Sequence, residues 1–254
     1  MGGMSAPKSF LSPTIAPSRS EAAADGHPTV QTVVRAIEEA LRPLANAQQA
    51  VPMQAYMLDQ FAFLGIRATP RRQALRGLPR LSVWGQVEWL ALAEALWRLP
   101  EREFRYVAID LLARHHKRLD VHALPRILQL VQTDSWWDTV DGLAGVVGDI
   151  LLRERLKQPK VQTHMDVCLT HPHLWVRRVA MLHQLGWKSQ TDQQRLFRYA
   201  LTLADEKDFF IRKAIGWALR DHARAQPDAV RDFLRQHAPQ LSGLTRREAG
   251  KHLH

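Results

Sequence analysis

The chain has 254 residues, enough to bury one good core and to form one or two domains. Its 35 Lys and Arg against 25 Asp and Glu leave a formal charge of +10, a surplus suited to a polyanionic partner such as nucleic acid or an acidic membrane surface. The single cysteine, Cys168, excludes an intramolecular disulfide, a multi-cysteine zinc site and a protein-ligated iron–sulfur cluster, and no apolar run reaches the ~18 residues a bilayer span needs.

Residues 1–27 are rich in Ser, Pro, Ala and Gly and show no apolar period, so they read as a disordered tail. They also lack the apolar stretch of a secretory signal, which points to a cytoplasmic protein. Over 28–254 helical periodicity is nearly continuous and strand signals are almost absent. The expectation is an all-α domain of about twelve helices. Breaks fall at Gly65, Pro70, Gly77, Pro79, Pro100, Pro125, Pro159, Pro172, Pro227 and Gly243, and caps are expected at Thr69, Ser135, Thr191 and Asp208. Trp84, Trp89 and Trp97 fall in one apolar helix as packing residues. His115-His116, beside Lys117-Arg118, reads as a solvated helix terminus.

Three segments resemble one another: FRYVAIDLLAR (104–114), VRRVAMLHQL (176–185) and IRKAIGWALR (211–220). Aligning Arg105, Arg177 and Arg212 gives intervals of 72 and 35 residues, and half of the first places a fourth unit near residue 141. A period in the mid-thirties with two helices per unit marks a HEAT-like repeat α-solenoid, with an irregular helical bundle as the alternative. Arg105, Arg177, Arg178, Arg212, Lys213 and Arg220 recur in the second helices. In register they would form a basic stripe along a concave groove that fits a duplex backbone.

The fourth unit contains DSWWDTVDGLAG (134–145). On a helix, Trp136, Val140, Leu143, Val147 and Leu151 form one apolar stripe, which makes Trp136 a core residue. Trp137 and Asp141 share a second face, continued by Gly145 and Gly148, where two helix-weakening glycines imply that something bulky approaches closely. Trp217 likewise sits beside its own helix's stripe. Two readings remain open at this point. Trp137 is a second core tryptophan and Asp141 a helix N-terminal carboxylate, or Asp141 is framed by aromatic faces in a basic groove suited to a cationic substrate on a polyanion.

SWWDTVD, LWVRRVAML and DFFIRKAIGWALRDHA, with YMLDQFAFLGIRATPRR (56–72), LPEREFRYVAIDLL (99–112) and LTRREAGKHL (244–253), resemble the AlkD group of bacterial alkylpurine DNA glycosylases. The resemblance runs from about residue 50 to the C-terminus. It implies Trp137, Asp141 and Trp217 as the catalytic positions and Arg178 as a phosphate contact, with Tyr56 and Arg220 as nearby DNA contacts. The basic recurrence adds Arg177, Arg212 and Lys213 to the DNA-binding set. Arg247 is either a phosphate contact or part of a solvated face.

By that resemblance the substrate is double-stranded DNA carrying cationic alkylated purines of the 3-methyladenine or 7-methylguanine type. Such a base leaves without protonation, so Asp141 would stabilise the oxocarbenium-like sugar and place water. Trp137 and Trp217 would offer π faces to the cationic nucleotide. The family is understood to leave the lesion stacked rather than flipped. No cofactor, metal or membrane is implied, and a monomer suffices. His164, His171 and His173 lack metal-ligand spacing, Cys168 reads as a small core residue, and Asp138 and Asp149 read as helix-surface or supporting carboxylates. The competing readings are a non-catalytic HEAT-repeat module that binds DNA structures or lesions, and a protein–protein scaffold.

Overall fold

The structure is a computed structural model that describes residues 27–79, 81–251 and 253. The expected tail over 1–27 therefore lies outside the described residues, apart from His27. The described chain forms thirteen α-helices and five short 3-10 turns, with one isolated β-bridge between Ala62 and Glu101 and no strand. The helices are α1 Val30–Leu41, α2 Ala47–Tyr56, α3 Ala68–Ala74, α4 Gln86–Trp97, α5 Arg102–Arg114, α6 Leu124–Val131 and α7 Trp137–Glu154. They continue as α8 Thr163–Cys168, α9 Leu174–Leu182, α10 Gln193–Thr202, α11 Phe209–Ala223, α12 Pro227–Gln236 and α13 Gly243–Gly250.

The period near 36 is the distance between stacked layers. Helices α5, α7, α9, α11 and α13 each pack on the next, while α4, α6, α8 and α10 pair with the helices that follow them. That is the two-helix repeat of an α-solenoid, in which each unit covers its neighbour's apolar face. Polar ties cross the same interval. Arg102 grips Asp138 with two hydrogen bonds of 2.9 and 2.7 Å, and Arg153 donates to the His116 carbonyl 37 residues earlier. Val140, Leu143, Val147 and Leu151 are fully buried, as their spacing requires.

Three of the four expected caps shift by one or two residues. The carboxylate of Asp192, not Thr191, accepts the first-turn N–H of Arg195. α3 is capped by Arg67, and Pro70 sits inside its first turn, where its missing N–H is not needed. Ser135 turns back and donates to the Val131 carbonyl, which leaves extended Trp136 as the cap residue of α7. Asp208 caps α11 as expected, accepting from Phe210 and Ile211. Trp84 precedes α4 instead of lying in it, although all three tryptophans of that region are buried.

Two readings of the repeats are corrected. Arg105, Arg177 and Arg212 are equivalent, but they do not form a bare stripe. Each donates to the carbonyl six residues earlier, of Leu99, His171 and Glu206 in turn, and so pins the loop that enters its own helix. Arg105 also pairs with Asp134, and Arg177 with Glu206. The glycines of α7 also divide. A Cβ on Gly148 would lie 2.1 Å from the His183 carbonyl oxygen, so a neighbouring helix end makes the close approach; beside Gly145 there is open space.

Among the described residues no helix is long and apolar enough to cross a membrane, and no cluster of His, Cys, Asp and Glu could hold a metal ion.

Candidate DNA-facing cleft

The N-terminal ends of α7 and α11 meet the middle of α9 and the end of α2 around a cleft of about 380 Å3. Tyr56, Leu58, Trp136, Trp137, Arg178, Phe209, Phe210, Lys213 and Trp217 line it. Four of the expected functional positions, Tyr56, Trp137, Arg178 and Trp217, thus converge from four helices, and Lys213 joins them. A larger cavity of about 510 Å3 at the far end of α5 contains none of the expected residues.

Asp141 stands one turn beyond Trp137 on α7; it is not among the residues that line the cleft and is joined to them through Arg178. Arg178 Nε and Nη2 donate to its two carboxylate oxygens at 2.7 and 2.8 Å, and Nη1 donates to the Phe210 carbonyl. Arg178 is 2% exposed at its side chain and Asp141 20%. Burial pushes the Asp141 carboxyl above the usual aspartate range, Arg178 pulls it back, and neighbouring Asp138 adds a smaller upward push. With three of its five N–H groups engaged, Arg178 first of all fixes Asp141.

Asp138 is neither on the surface nor free. Arg102 holds both its oxygens, Tyr106 donates its hydroxyl at 2.7 Å, and the side chain is almost buried. This network anchors the first turn of α7, and with it the direction of Trp137 and Asp141. The Tyr106 hydroxyl is held protonated by burial and by the Asp138 carboxylate.

The two expected catalytic tryptophans differ. Trp217 already has three cations near its ring: Arg178 at 5.7 Å, and Lys213 and Arg220 at 5.9 Å each. Trp137 packs against both apolar clusters and forms a T-shaped pair with Tyr56 at 6.0 Å between centroids, and no cation–π contact among the described residues involves it. Both rings are half-buried, so they differ in the charges beside them and not in exposure. Trp136, expected in the core, is half-buried and packs its ring on Trp175 and Phe210 at the cleft wall, because its extended cap conformation takes it off the helical stripe.

Arg177 and Arg212 lie outside the cleft lining. Arg220 forms a 2.8 Å ion pair with Glu248 beside it, and Arg247 is exposed on α13. Leu58, Phe209 and Phe210 went unnoticed in the sequence. The adjacent aromatics after the Asp208 cap were the available signal for the last two; nothing in the local pattern marks Leu58.

The family model for "DNA alkylation repair enzyme" matches residues 37–253. Among solved structures, a "Predicted DNA alkylation repair enzyme from Enterococcus faecalis" shares 32% identity at a TM-score of 0.75, over 82% of this chain and 96% of that one. AlkD2 from Streptococcus mutans shares 17% identity at a TM-score of 0.60, over 89% of this chain and 99% of that one, a likeness of fold alone. No curated protein matches. A family match from α1 almost to the last residue, over the same stacked repeats that shape the cleft, places this chain in the DNA alkylation repair enzyme family.

Proposed function

We propose that the protein is a monofunctional DNA glycosylase that hydrolyses the N-glycosidic bond of cationic alkylated purines in duplex DNA, acting as a cytoplasmic monomer. The observation that carries this reading is Asp141, a partly buried carboxylate fixed at both oxygens by Arg178, which itself lines a cleft of aromatic rings with Lys213. A protein that only bound phosphates would gain nothing from a carboxylate there, since it repels them.

The chemistry follows from the lesion's charge. As the bond from C1′ to the purine nitrogen breaks, its electron pair moves to the base and neutralises the ring, so no general acid is needed. Positive charge develops on the sugar, and a carboxylate held largely out of water beside the cleft stabilises it. Asp141 also accepts a hydrogen bond from the water that attacks C1′, which then loses a proton to give the abasic site. Trp137, which lines the cleft, offers its ring to the cationic nucleotide, worth about 0.5–2 kcal/mol.

The cations around Trp217 suit phosphates, and they would repel a positively charged base drawn into the cleft. That favours a lesion that stays in the stack while its sugar meets Asp141. Lys213 and Arg220 take the backbone beside it.

The test is release of 7-methylguanine and 3-methyladenine from methylated duplex DNA, with duplex binding measured on the same protein. Base release by the wild type that drops strongly in Asp141→Asn, with binding retained, supports the reading. Tight duplex binding without base release would overturn it in favour of a non-catalytic DNA-binding module.

A further inference from the structure

Helix α2 ends in an unusual way. Its last residue is Tyr56, Met57 is the cap residue, and Leu58 and Asp59 both adopt φ 56°, in the left-handed region. The Leu58 N–H donates to the Ala55 carbonyl at 3.0 Å and the Asp59 N–H to the Gln54 carbonyl at 2.9 Å. That pair of bonds is the Schellman closure of a helix, in which the first residue past the cap must be left-handed and is usually glycine. Aspartate tolerates this conformation; leucine clashes with its own backbone there, and only glycine escapes the penalty.

Packing does not offset that penalty, because Leu58 is 68% exposed. It instead lines the cleft with Trp137, two residues from Tyr56, itself 70% exposed and paired T-shaped with Trp137. A strained backbone that holds an apolar side chain out into water, beside a candidate catalytic cleft, points to a bound partner as its reason.

We infer that Leu58 is a positioning residue that enters the groove of the duplex and packs on the apolar edges of sugar and base next to the lesion. Duplex DNA presents phosphates on its rim and apolar sugar and base edges inside its grooves. Lys213 on the same cleft meets the rim, while a rigidly held leucine suits the interior. Filling that space keeps the lesion nucleotide from sliding away from Trp137 and Asp141. The catalytic half of this inference rests on the glycosylase reading; the contact with the duplex does not.

The decisive variant is Leu58→Gly, because glycine is the residue the helix end prefers. Its melting temperature is expected to equal or exceed the wild-type value. Its single-turnover rate of base release should fall about tenfold, with duplex affinity changed by no more than about threefold. Leu58→Met, which restores an apolar side chain of similar reach, should recover the rate. An independent readout uses duplex DNA with 2-aminopurine next to a tetrahydrofuran abasic analogue. Wild type is expected to change the fluorescence on binding and Leu58→Gly to leave it near the free-duplex value.

A wild-type rate or a wild-type fluorescence change in Leu58→Gly overturns the inference. So does a lowered melting temperature, which would mean that Leu58 serves the fold. If the wild-type protein releases no base, the glycosylase reading fails, and the fluorescence still decides whether Leu58 touches the duplex.

Discussion

Both carboxylate oxygens of Asp141 are held by Arg178, 37 residues further along the chain, at 2.7 and 2.8 Å. The pair joins α7 to α9, so the candidate catalytic group is fixed by the stacking of one repeat on the next. Replacing Asp141 with Asn removes the charge and places an amide against the guanidinium. The expected outcome is a fall of about 100- to 1000-fold in base release and a stability loss of about 2 kcal/mol from the unpaired, buried Arg178. Single-turnover kinetics and urea unfolding on the same preparation separate the two effects.

Arg178→Lys keeps the charge but offers one ammonium where a planar fork held two oxygens. Base release should drop about tenfold to 100-fold while duplex affinity changes little. A variant that lost affinity in proportion to rate would instead give Arg178 the main role of gripping phosphate.

In the proposed mechanism base release requires the ionised Asp141, whose carboxyl lies above the ordinary aspartate range because of burial. The rate of the wild type should therefore fall as pH drops through a value above 3.8, and recover fully on return to neutrality. A flat profile from pH 7 down to the onset of unfolding would remove Asp141 from the rate-limiting step.

The repeated arginines and Lys213 should behave in opposite ways. Lys213→Ala should weaken duplex binding uniformly across sequences and reduce the slope of log affinity against log salt by about one. Arg177 pins its own loop and pairs with Glu206, so Arg177→Ala should lower stability and leave the salt slope nearly unchanged. Binding titrations over a range of salt concentrations distinguish the two.

His183 is buried beside Tyr199 and Trp187, and burial lowers its pKa to about 4, only partly opposed by a hydrogen bond to the Ala180 carbonyl. The unfolded chain takes up the proton near 6.5, before the folded protein can. Stability is therefore full above that value and declines as pH falls toward 4, by up to about 3 kcal/mol. Urea unfolding at pH 7 and pH 5 measures the decline, and His183→Gln should reduce it.

Gly148 and Gly145 look alike in sequence, yet their alanine variants should diverge. Gly148→Ala drives a Cβ into the His183 carbonyl and should cost more than about 3 kcal/mol. Gly145→Ala meets nothing and should stabilise the helix by about 0.5–1 kcal/mol. Thermal melts of the two variants check the contrast.

Much of the fold was legible because it depends on local pattern. Helical period, the Asp208 cap and the buried stripe of α7 follow from residues a few positions apart, and the repeat interval follows from the segments around Arg105, Arg177 and Arg212. The motifs around Trp137, Asp141, Arg178 and Trp217 also singled out positions that prove to cluster. What each of these residues touches lay beyond the sequence. Spacing cannot show that Arg105, Arg177 and Arg212 turn back onto loop carbonyls, because a guanidinium looks equally available in sequence whether it faces water or an acceptor. Nor does it show that Ser135 gives up the cap and turns Trp136 out of the stripe, or that Leu58 stands left-handed at the mouth of the cleft. The linear pattern determined which faces are apolar and where the units repeat, since burial and backbone hydrogen bonding act over one turn of helix. Only the stacking of the repeats decided which charges neutralise one another and which carboxylate is held at both oxygens, because those pairings join groups more than thirty residues apart.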